Sequence, residues 1–273
     1  MLKVSVVIPV YNRMHLIERA LDSVINQTCP ADEIIVVDDG STDDTAGLVR
    51  QNYPQVTVVS RENRGVSSAR NTGIKHAGSD WIAFLDSDDE WYQEKLEKQC
   101  HAIMSTPGYL LCHTNEQWIR NDKPVNQMKK HRKYGGKIFR YCLPLCVISP
   151  SSVLIHQSVF ENIGLFDETL PACEDYELWL RICARYPVLY LDEPLINKYG
   201  GHNGQLSRKF WGMDRFRILA LEKIISDPNL RESDRNAAIN TMLDKINIYL
   251  IGARKRGTLS HVDHFENLAM KYS

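Results

Sequence analysis

The chain predicts an α/β fold: a mostly parallel central sheet flanked by helices, with a C-terminal helical extension. Three observations carry that expectation. Four short apolar runs, at Lys3–Val10, Glu33–Val37, Val56–Ser60 and Trp81–Leu85, are each followed by a stretch that reads as helix. The runs show little polar alternation, as expected of strands covered on both faces. Strands alternating with helices imply a parallel sheet with right-handed crossovers. From Arg208 onward apolar residues recur at helical spacing, from Ile218, Leu219 and Leu221 to Ile246, Tyr249 and Leu250.

Taken in order, Lys3–Val10 is a strand ending at Pro9, and Pro9 and Asn12 turn the chain so that Tyr11 faces the sheet's C-terminal edge. Leu16, Ile17, Ala20, Leu21, Val24 and Ile25 form one helical stripe. Glu33–Val37 ends in Asp38, Asp39, Gly40, Ser41 and Thr42, with Ser41 or Thr42 capping a helix through Val49. After Val56–Ser60, the turn Glu62–Gly65 opens a helix over Val66–Ala77 that holds Ser67, Ser68, Arg70 and Asn71. Trp81–Leu85 then runs straight into Asp86, Ser87, Asp88 and Asp89. A buried strand cannot carry these carboxylates in the core, because desolvating unpaired charge is too costly. They belong at the strand's C-terminal end, in the crevice where open α/β sheets bind ligands. Clustered carboxylates suit a hard divalent cation such as Mg²⁺ or Mn²⁺, shared with substrate phosphates. The plainer alternative is a solvated turn, with Asp88 or Asp89 capping a helix from Glu90.

That helix stops near Pro107-Gly108, and Tyr109–Ile119 follows as a strand. Residues 123–140 are basic (Lys123, Lys129, Lys130, Arg132, Lys133, Lys137, Arg140), with no acid from Lys123 through Phe160. This is a loop over phosphates or an anionic acceptor, or simply a solvated loop. Val147–His156 reads as a strand and Gln157–Ile163 as a helix ended by Gly164. Glu174 and Asp175 open a helix carrying Leu178, Trp179 and Ile182, where acids are favoured by the helix dipole alone. Val188–Leu191 and Leu195–Tyr199 are extended, and His202 lies in a glycine-rich turn.

Bulk properties narrow the classes. A net charge of −1 over 273 residues gives no case for nucleic acid as a partner. No apolar run approaches the roughly 18 residues that span a bilayer, and the first residues lack a signal-peptide pattern. Seven scattered cysteines without a CxxC pair point to reduced thiols in a cytoplasmic setting. GxGxxG and GxxxxGK[ST] are both absent, which removes the dinucleotide and P-loop fingerprints.

Several motifs now coincide in order: PVYN at Pro9–Asn12, VVDDGSTD at Val36–Asp43, ENRGVSSARNTG at Glu62–Gly73, DSDD at Asp86–Asp89 and CEDYELWLR at Cys173–Arg181. Together they resemble the family 2 glycosyltransferases, inverting enzymes with the GT-A fold. The resemblance covers residues 1–205, divided into a nucleotide-binding half (1–108) and an acceptor-binding half (109–205). Residues 206–273 form a helical extension outside it.

The resemblance implies a UDP-sugar donor, with Pro9 and Tyr11 against the base and Asp39 hydrogen-bonded to it. It implies Arg70 close to the nucleotide, Asp86 toward the ribose and Asp88 on a Mn²⁺ or Mg²⁺ ion. Asn12 and Glu174 join the donor-binding set, Asp175 matches the catalytic base, and His202 a late histidine near the metal or diphosphate. The implied acceptor is a hydroxyl on a glycan or lipid-linked glycan in bacterial surface polysaccharide assembly, with possible peripheral membrane contact. The processive members' QxxRW is missing: Gln205-Leu206-Ser207-Arg208-Lys209 carries lysine where tryptophan belongs. That points to a non-processive enzyme. The rivals are a nucleotidyltransferase, disfavoured by Tyr11-Asn12-Arg13 where a glycine-rich basic loop is expected, and a non-catalytic nucleotide-sugar-binding or scaffolding protein.

Overall fold

The computed structural model describes residues 2–201, 210–258 and 261–273. Its strands are β1 (Val4–Val10), β2 (Glu33–Asp38), β3 (Thr57–Ser60), β4 (Trp81–Phe84), β5 (Glu90–Trp91), β6 (Leu111–Arg120), β7 (Lys123–Val125), β8 (Val153–His156) and β9 (Leu189–Gly200). They form one sheet in the order β3-β2-β1-β4-β8-β6-β9-β5, with β7 paired to β6. The helices are α1 (Ile17–Ile25), α2 (Thr45–Asn52), α3 (Val66–His76), α4 (Lys95–Ser105), α5 (Phe139–Cys142), α6 (Gln157–Ile163) and α7 (Glu174–Cys183). Then come α8 (Asp214–Ile225), α9 (Glu232–Arg256) and α10 (Val262–Tyr272).

The first four strands are parallel, as their apolar runs and intervening helices require. Beyond β4 the pairing changes. β8 is antiparallel to both β4 and β6, β9 is parallel to β6, and β5 is antiparallel to β9. The sheet is therefore parallel in its first half and mixed in its second.

Successive side chains on a strand point to opposite faces, and the sheet has a core on each. Val7, Ile82 and Phe84 enter one core, together with helices α3 and α5 to α10. Val6, Ile8, Val10, Ala83 and Leu85 enter the other, with α1 and α4. The C-terminal helices contribute Phe216, Leu221, Met242, Ile246 and Phe265 to the first of these cores, so they share its packing with the sheet. Helix α3 lies very close to β1. A Cβ built on Gly73 would stand 2.2 Å from Val7 Cγ1, so only glycine permits that approach.

Several expected boundaries shift. No helix begins at Glu90: Glu90–Trp91 pairs with β9, and α4 starts only at Lys95. Tertiary contacts decide this, because the Trp91 indole N–H donates to the Ser151 carbonyl at 2.8 Å and Gln27 Nε2 donates to Tyr92 O at 2.8 Å. Asp88 and Asp89 therefore cap no helix. The strand expected over Val147–His156 is confined to Val153–His156, because Pro150–Ser152 turns as a 3-10 helix on Ser149. Neither Ser41 nor Thr42 caps α2, which begins at Thr45. The Ser41 hydroxyl instead accepts from Asn12 N–H at 2.9 Å. The basic stretch is only partly a solvated loop. Lys133 is buried and ion-paired with Glu116 at 3.0 Å, and Arg140 Nε donates to Asp234 at 2.8 Å.

Candidate active site

The chain leaves β1 toward β2 and β3, then returns across β1 to form β4 on its other side. The crevice beyond the C-terminal ends of β1 and β4 is thus a topological switch point, the place where such sheets bind ligands. Tyr11 and Asn12 follow β1 there, and Asp86–Asp89 follow β4.

On the β1 side, Pro9 is buried within the strand opposite Val37, so it shapes β1 from inside. Tyr11, two residues on, is 44% exposed. Asn12 holds a left-handed φ of 51°, and its Oδ1 accepts from Thr42 N–H at 2.7 Å, which ties the turns after β1 and β2 together. Asp39 is buried, accepts from Gly65 N–H at 2.7 Å and from Arg64 N–H at 3.1 Å, and is ion-paired with Arg61 Nε at 3.2 Å. A carboxylate offers about four acceptor positions, so these donors leave Asp39 capacity for one more.

After β4 the residues alternate: Asp86 and Asp88 are half-exposed, whereas Ser87 and Asp89 are buried. Ser87 and Asp88 form a turn closed by Asp89 N–H donating to Asp86 O at 2.9 Å. It turns two carboxylates toward the crevice and two polar groups inward. Arg70, buried on α3, joins this turn to α7: its Nη2 donates to Asp86 Oδ1 and its Nη1 to Glu174 Oε1, both at 2.7 Å. Burial works against the guanidinium charge, but Asp86 and Glu174 outweigh it and hold Arg70 firmly protonated. Burial and then the Asp175 charge push the Glu174 carboxyl up, against the pull of Arg70. Arg70 and Glu174 are both buried, and through Arg70 they form a clamp that fixes Asp86.

Asp175 follows Glu174 in the first turn of α7 and is half-exposed. Its Oδ1 accepts from Tyr176 N–H at 2.7 Å, and its Oδ2 lies 3.3 Å from Cys146 Sγ. Cys173, just before the helix, has a left-handed φ of 62°, a strained conformation for a non-glycine residue of the kind that gathers at functional sites.

Sequence reasoning missed three residues that build this site, Ser149, Ser151 and Lys198, and the burial of Asp89. Asp89 is buried and bonded to Ser151 Oγ at 2.6 Å and to Tyr199 N–H at 3.1 Å. Burial, then the charge of Asp88, drive its carboxyl well above the usual range. Ser151 Oγ also accepts from Asp86 N–H at 3.1 Å, so one hydroxyl holds both ends of the acidic turn. Lys198, near the end of β9, donates to Ser149 Oγ at 2.9 Å. Burial opposes its charge, but Glu116, Asp89, Asp86 and Asp175 surround it and hold it protonated. No spacing in the sequence could reveal these, because β9 reaches the site through a register interrupted by irregularities near Asn115.

Asp88 and Asp86 offer the hard oxygen donors that Mg²⁺ or Mn²⁺ takes, in a half-exposed position open to a diphosphate. Among the described residues no group of three His, Cys, Asp or Glu side chains is assembled for a metal, so an ion here would draw further ligands from the nucleotide. His202 lies outside the described residues. Beside Glu116 a polar cleft of about 340 Å³ is lined by Asn115, Gln127, Arg132, Tyr190 and Asp192. No described helix is long and apolar enough to cross a membrane.

Comparison with known proteins agrees with this geometry. The fold resembles the Staphylococcus aureus TarS 1–349 structure at a TM-score of 0.70 and 21% identity, covering 96% of this chain and 74% of that one. It also resembles the mannosyltransferase PcManGT of Pyrobaculum calidifontis, solved with GDP-Man and Mn²⁺, at a TM-score of 0.65 and 19% identity, covering 98% and 80%. Both likenesses establish the fold, a GT-A glycosyltransferase architecture. An uncharacterized glycosyltransferase of Rickettsia bellii is 34% identical over 208 residues, 76% of this chain and 28% of that protein. This chain spans between 28% and 65% of the length of the Rickettsia relatives it matches. The Escherichia coli UDP-Glc:alpha-D-GlcNAc-diphosphoundecaprenol beta-1,3-glucosyltransferase WfaP is 32% identical over 189 residues, 67% of this chain and 70% of that protein. The Glycosyl transferase family 2 model matches residues 5–164, and with the switch-point crevice, the acidic turn after β4 and these relatives, the chain belongs to glycosyltransferase family 2.

Proposed function

We propose that this chain is an inverting glycosyltransferase that moves a sugar from a UDP-sugar to a hydroxyl of a lipid-linked glycan. The observation that carries the reading is the arrangement of two sets of carboxylates around one crevice. Asp86 and Asp88 face it from β4 and Asp175 from α7, and Arg70 fixes the spacing between the two elements. The name of the E. coli relative, with its UDP-Glc donor and diphosphoundecaprenol acceptor, supports this substrate class.

Tyr11 forms the open wall for the uracil, and Asp39 keeps one acceptor position for its N–H. Asp86, fixed by Arg70, orients the ribose. A divalent ion on Asp88 would supply charge neutralisation to the diphosphate as it leaves. Asp175 takes the acceptor hydroxyl proton while that oxygen bonds to the anomeric carbon from the face opposite the diphosphate. The carbon–phosphate-oxygen bond breaks, UDP departs with the electron pair, and the configuration inverts in a single displacement. The enzyme is non-processive, acts at the inner face of the membrane, and makes peripheral contact there to reach its lipid-linked acceptor.

The test uses UDP-glucose and UDP-N-acetylglucosamine with a synthetic GlcNAc-diphospholipid acceptor, reading UDP release and product. Asp175→Asn should lower turnover by at least 10²-fold, the scale of a lost general base, while UDP still raises the melting temperature. Asp88→Ala should abolish the Mn²⁺-dependent part of that UDP shift. Near wild-type turnover in Asp175→Asn would remove the base assignment, and an unchanged Mn²⁺-dependent shift in Asp88→Ala would remove the metal role.

A further inference from the structure

We propose that Cys146 and Lys198 are positioning residues for Asp175, acting through the single segment Cys146–Ser149. The inference rests on Asp175 being the base. Cys146 Sγ lies 3.3 Å from Asp175 Oδ2 and 3.2 Å from Ile148 O, so its one hydrogen is shared between the carboxylate and its own segment, while Tyr176 N–H occupies Oδ1 at 2.7 Å. The carboxylate thus has a neighbour at each oxygen. Three residues along, Ser149 Oγ receives Lys198 Nζ at 2.9 Å. The same short segment therefore presents a thiol to the carboxylate and anchors the ammonium whose charge interacts with Glu116, Asp89, Asp86 and Asp175.

The segment is rigid enough to serve as a ruler. Val147 and Ile148 are buried in the sheet-side core. Lys133 Nζ donates to Val147 O at 2.9 Å, and Ser152 Oγ to Ser149 O at 2.7 Å. Side chains held by a packed, hydrogen-bonded support keep catalytic groups within the narrow tolerance that proton transfer needs.

The choice of a thiol is chemically apt. A thiol is a weak donor, so it sets the direction of Asp175 while drawing little on the oxygen that must accept the acceptor's proton. Burial, and then the Asp175 charge, push the Cys146 thiol well up, so it stays a donor. Six of the seven cysteines are buried, and Cys146 alone is partly exposed. Lys198 contributes charge to the site while its Nζ donates to Ser149 Oγ at 2.9 Å.

The experiment measures kcat, donor KM and the UDP-induced melting shift for Cys146→Ala, Cys146→Ser, Lys198→Met and Lys198→Arg, using whichever of UDP-glucose or UDP-N-acetylglucosamine the wild type turns over. Cys146→Ala should lower kcat about tenfold, with donor KM and the UDP shift within twofold of wild type. Cys146→Ser, which still donates, should recover most of kcat. Lys198→Met should lower kcat by a similar factor or more, and Lys198→Arg should recover part of it. Should Cys146→Ala not fold, Cys146→Val, of closer volume and without a donor, takes its place. A folded, UDP-binding Cys146→Ala or Cys146→Val together with Lys198→Met, all turning over at the wild-type kcat, overturns the inference. Asp175→Asn in the same assay separates the causes. If it is inactive while those variants are normal, only the positioning roles fail; if it is itself active, the base assignment fails and the inference with it.

Discussion

Arg70→Met tests whether the clamp behind the crevice is a structural necessity. Arg70 is 3% exposed and Glu174 is 4% exposed, with 2.7 Å between Nη1 and Oε1. Methionine fills much of the volume but leaves the Glu174 carboxyl buried without a partner. Breaking a buried pair in this way costs about 3–5 kcal/mol, more than replacing both members. Glu174 has one escape, which is to take a proton. Without Arg70 its folded pKa rises further above the unfolded value, because burial and Asp175 then act unopposed. A raised folded pKa contributes stability that is fully present below the unfolded pKa and is lost as pH rises through the folded one. The deficit of Arg70→Met should therefore be smallest near pH 5. It should grow by at most ~1.4 kcal/mol for each pH unit above that, up to the full cost of the stranded charge. Urea unfolding of wild type and variant at pH 5 and pH 8 measures it. Arg70→Met/Glu174→Leu should regain a large part of the loss at pH 8, since no charge is stranded. A deficit below about 0.5 kcal/mol at both pH values, or one that shrinks as pH rises, would refute the clamp.

Gly73→Ala should lower stability although alanine is the better helix former: the gain of about 1 kcal/mol in the helix meets a Cβ placed 2.2 Å from Val7 Cγ1, which forces α3 away from β1. Overpacking of this kind costs about 1–3 kcal/mol, so the melting temperature should fall; a rise would mean that α3 and β1 separate freely. His113 is buried, bonded to Tyr134 O at 2.8 Å, and its pKa is lowered to about 3 by burial and then by Lys133. Below the unfolded value the unfolded chain binds the extra proton, so stability falls on acidification from about pH 6.5 toward pH 3. Between pH 7.5 and 4.5 this amounts to roughly 2–3 kcal/mol, and His113→Gln should remove that part of the fall in urea midpoints.

The first half of the fold was legible because its signals are local. Continuous apolar runs mark β1, β2 and β4, and the positions of Asp39, Asp86 and Asp88 at strand ends follow from the cost of burying charge. Asp175 was legible through its motif and its place at a helix start. What was hidden depends on contacts between residues far apart in sequence. Arg70 and Glu174 meet across 104 residues, and nothing in either local pattern shows that both are buried. Glu90–Trp91 reads as the start of a helix until Ser151 and β9 are in place. Lys198 sits in an unremarkable LINKYG stretch, and only the pairing of β9 with β6 carries it into the acidic cluster. Lys133 and Arg140 read as part of a solvated basic loop, yet Lys133 is buried against Glu116 and Arg140 pairs with the buried Asp234.

These hidden contacts share one electrostatic logic. Five carboxyl groups (Asp86, Asp88, Asp89, Glu174 and Asp175) come together at the crevice, and such a group repels itself unless cations stand among it. The protein supplies fixed ones: Arg70 behind Asp86 and Glu174, and Lys198 on the far side, anchored to Ser149. The buried members, Asp89 and Glu174, are engaged by these cations and by Ser151, so only the half-exposed Asp86, Asp88 and Asp175 remain turned to the crevice. A binding event there meets donors and acceptors that already hold their positions. The reorganisation cost of assembling the charges is met during folding, and binding energy remains for aligning donor and acceptor. On this logic the stability of the fold and the competence of the site are coupled through Arg70. A substitution there should weaken nucleotide binding through the misplacement of Asp86, even though the guanidinium itself lies behind the wall.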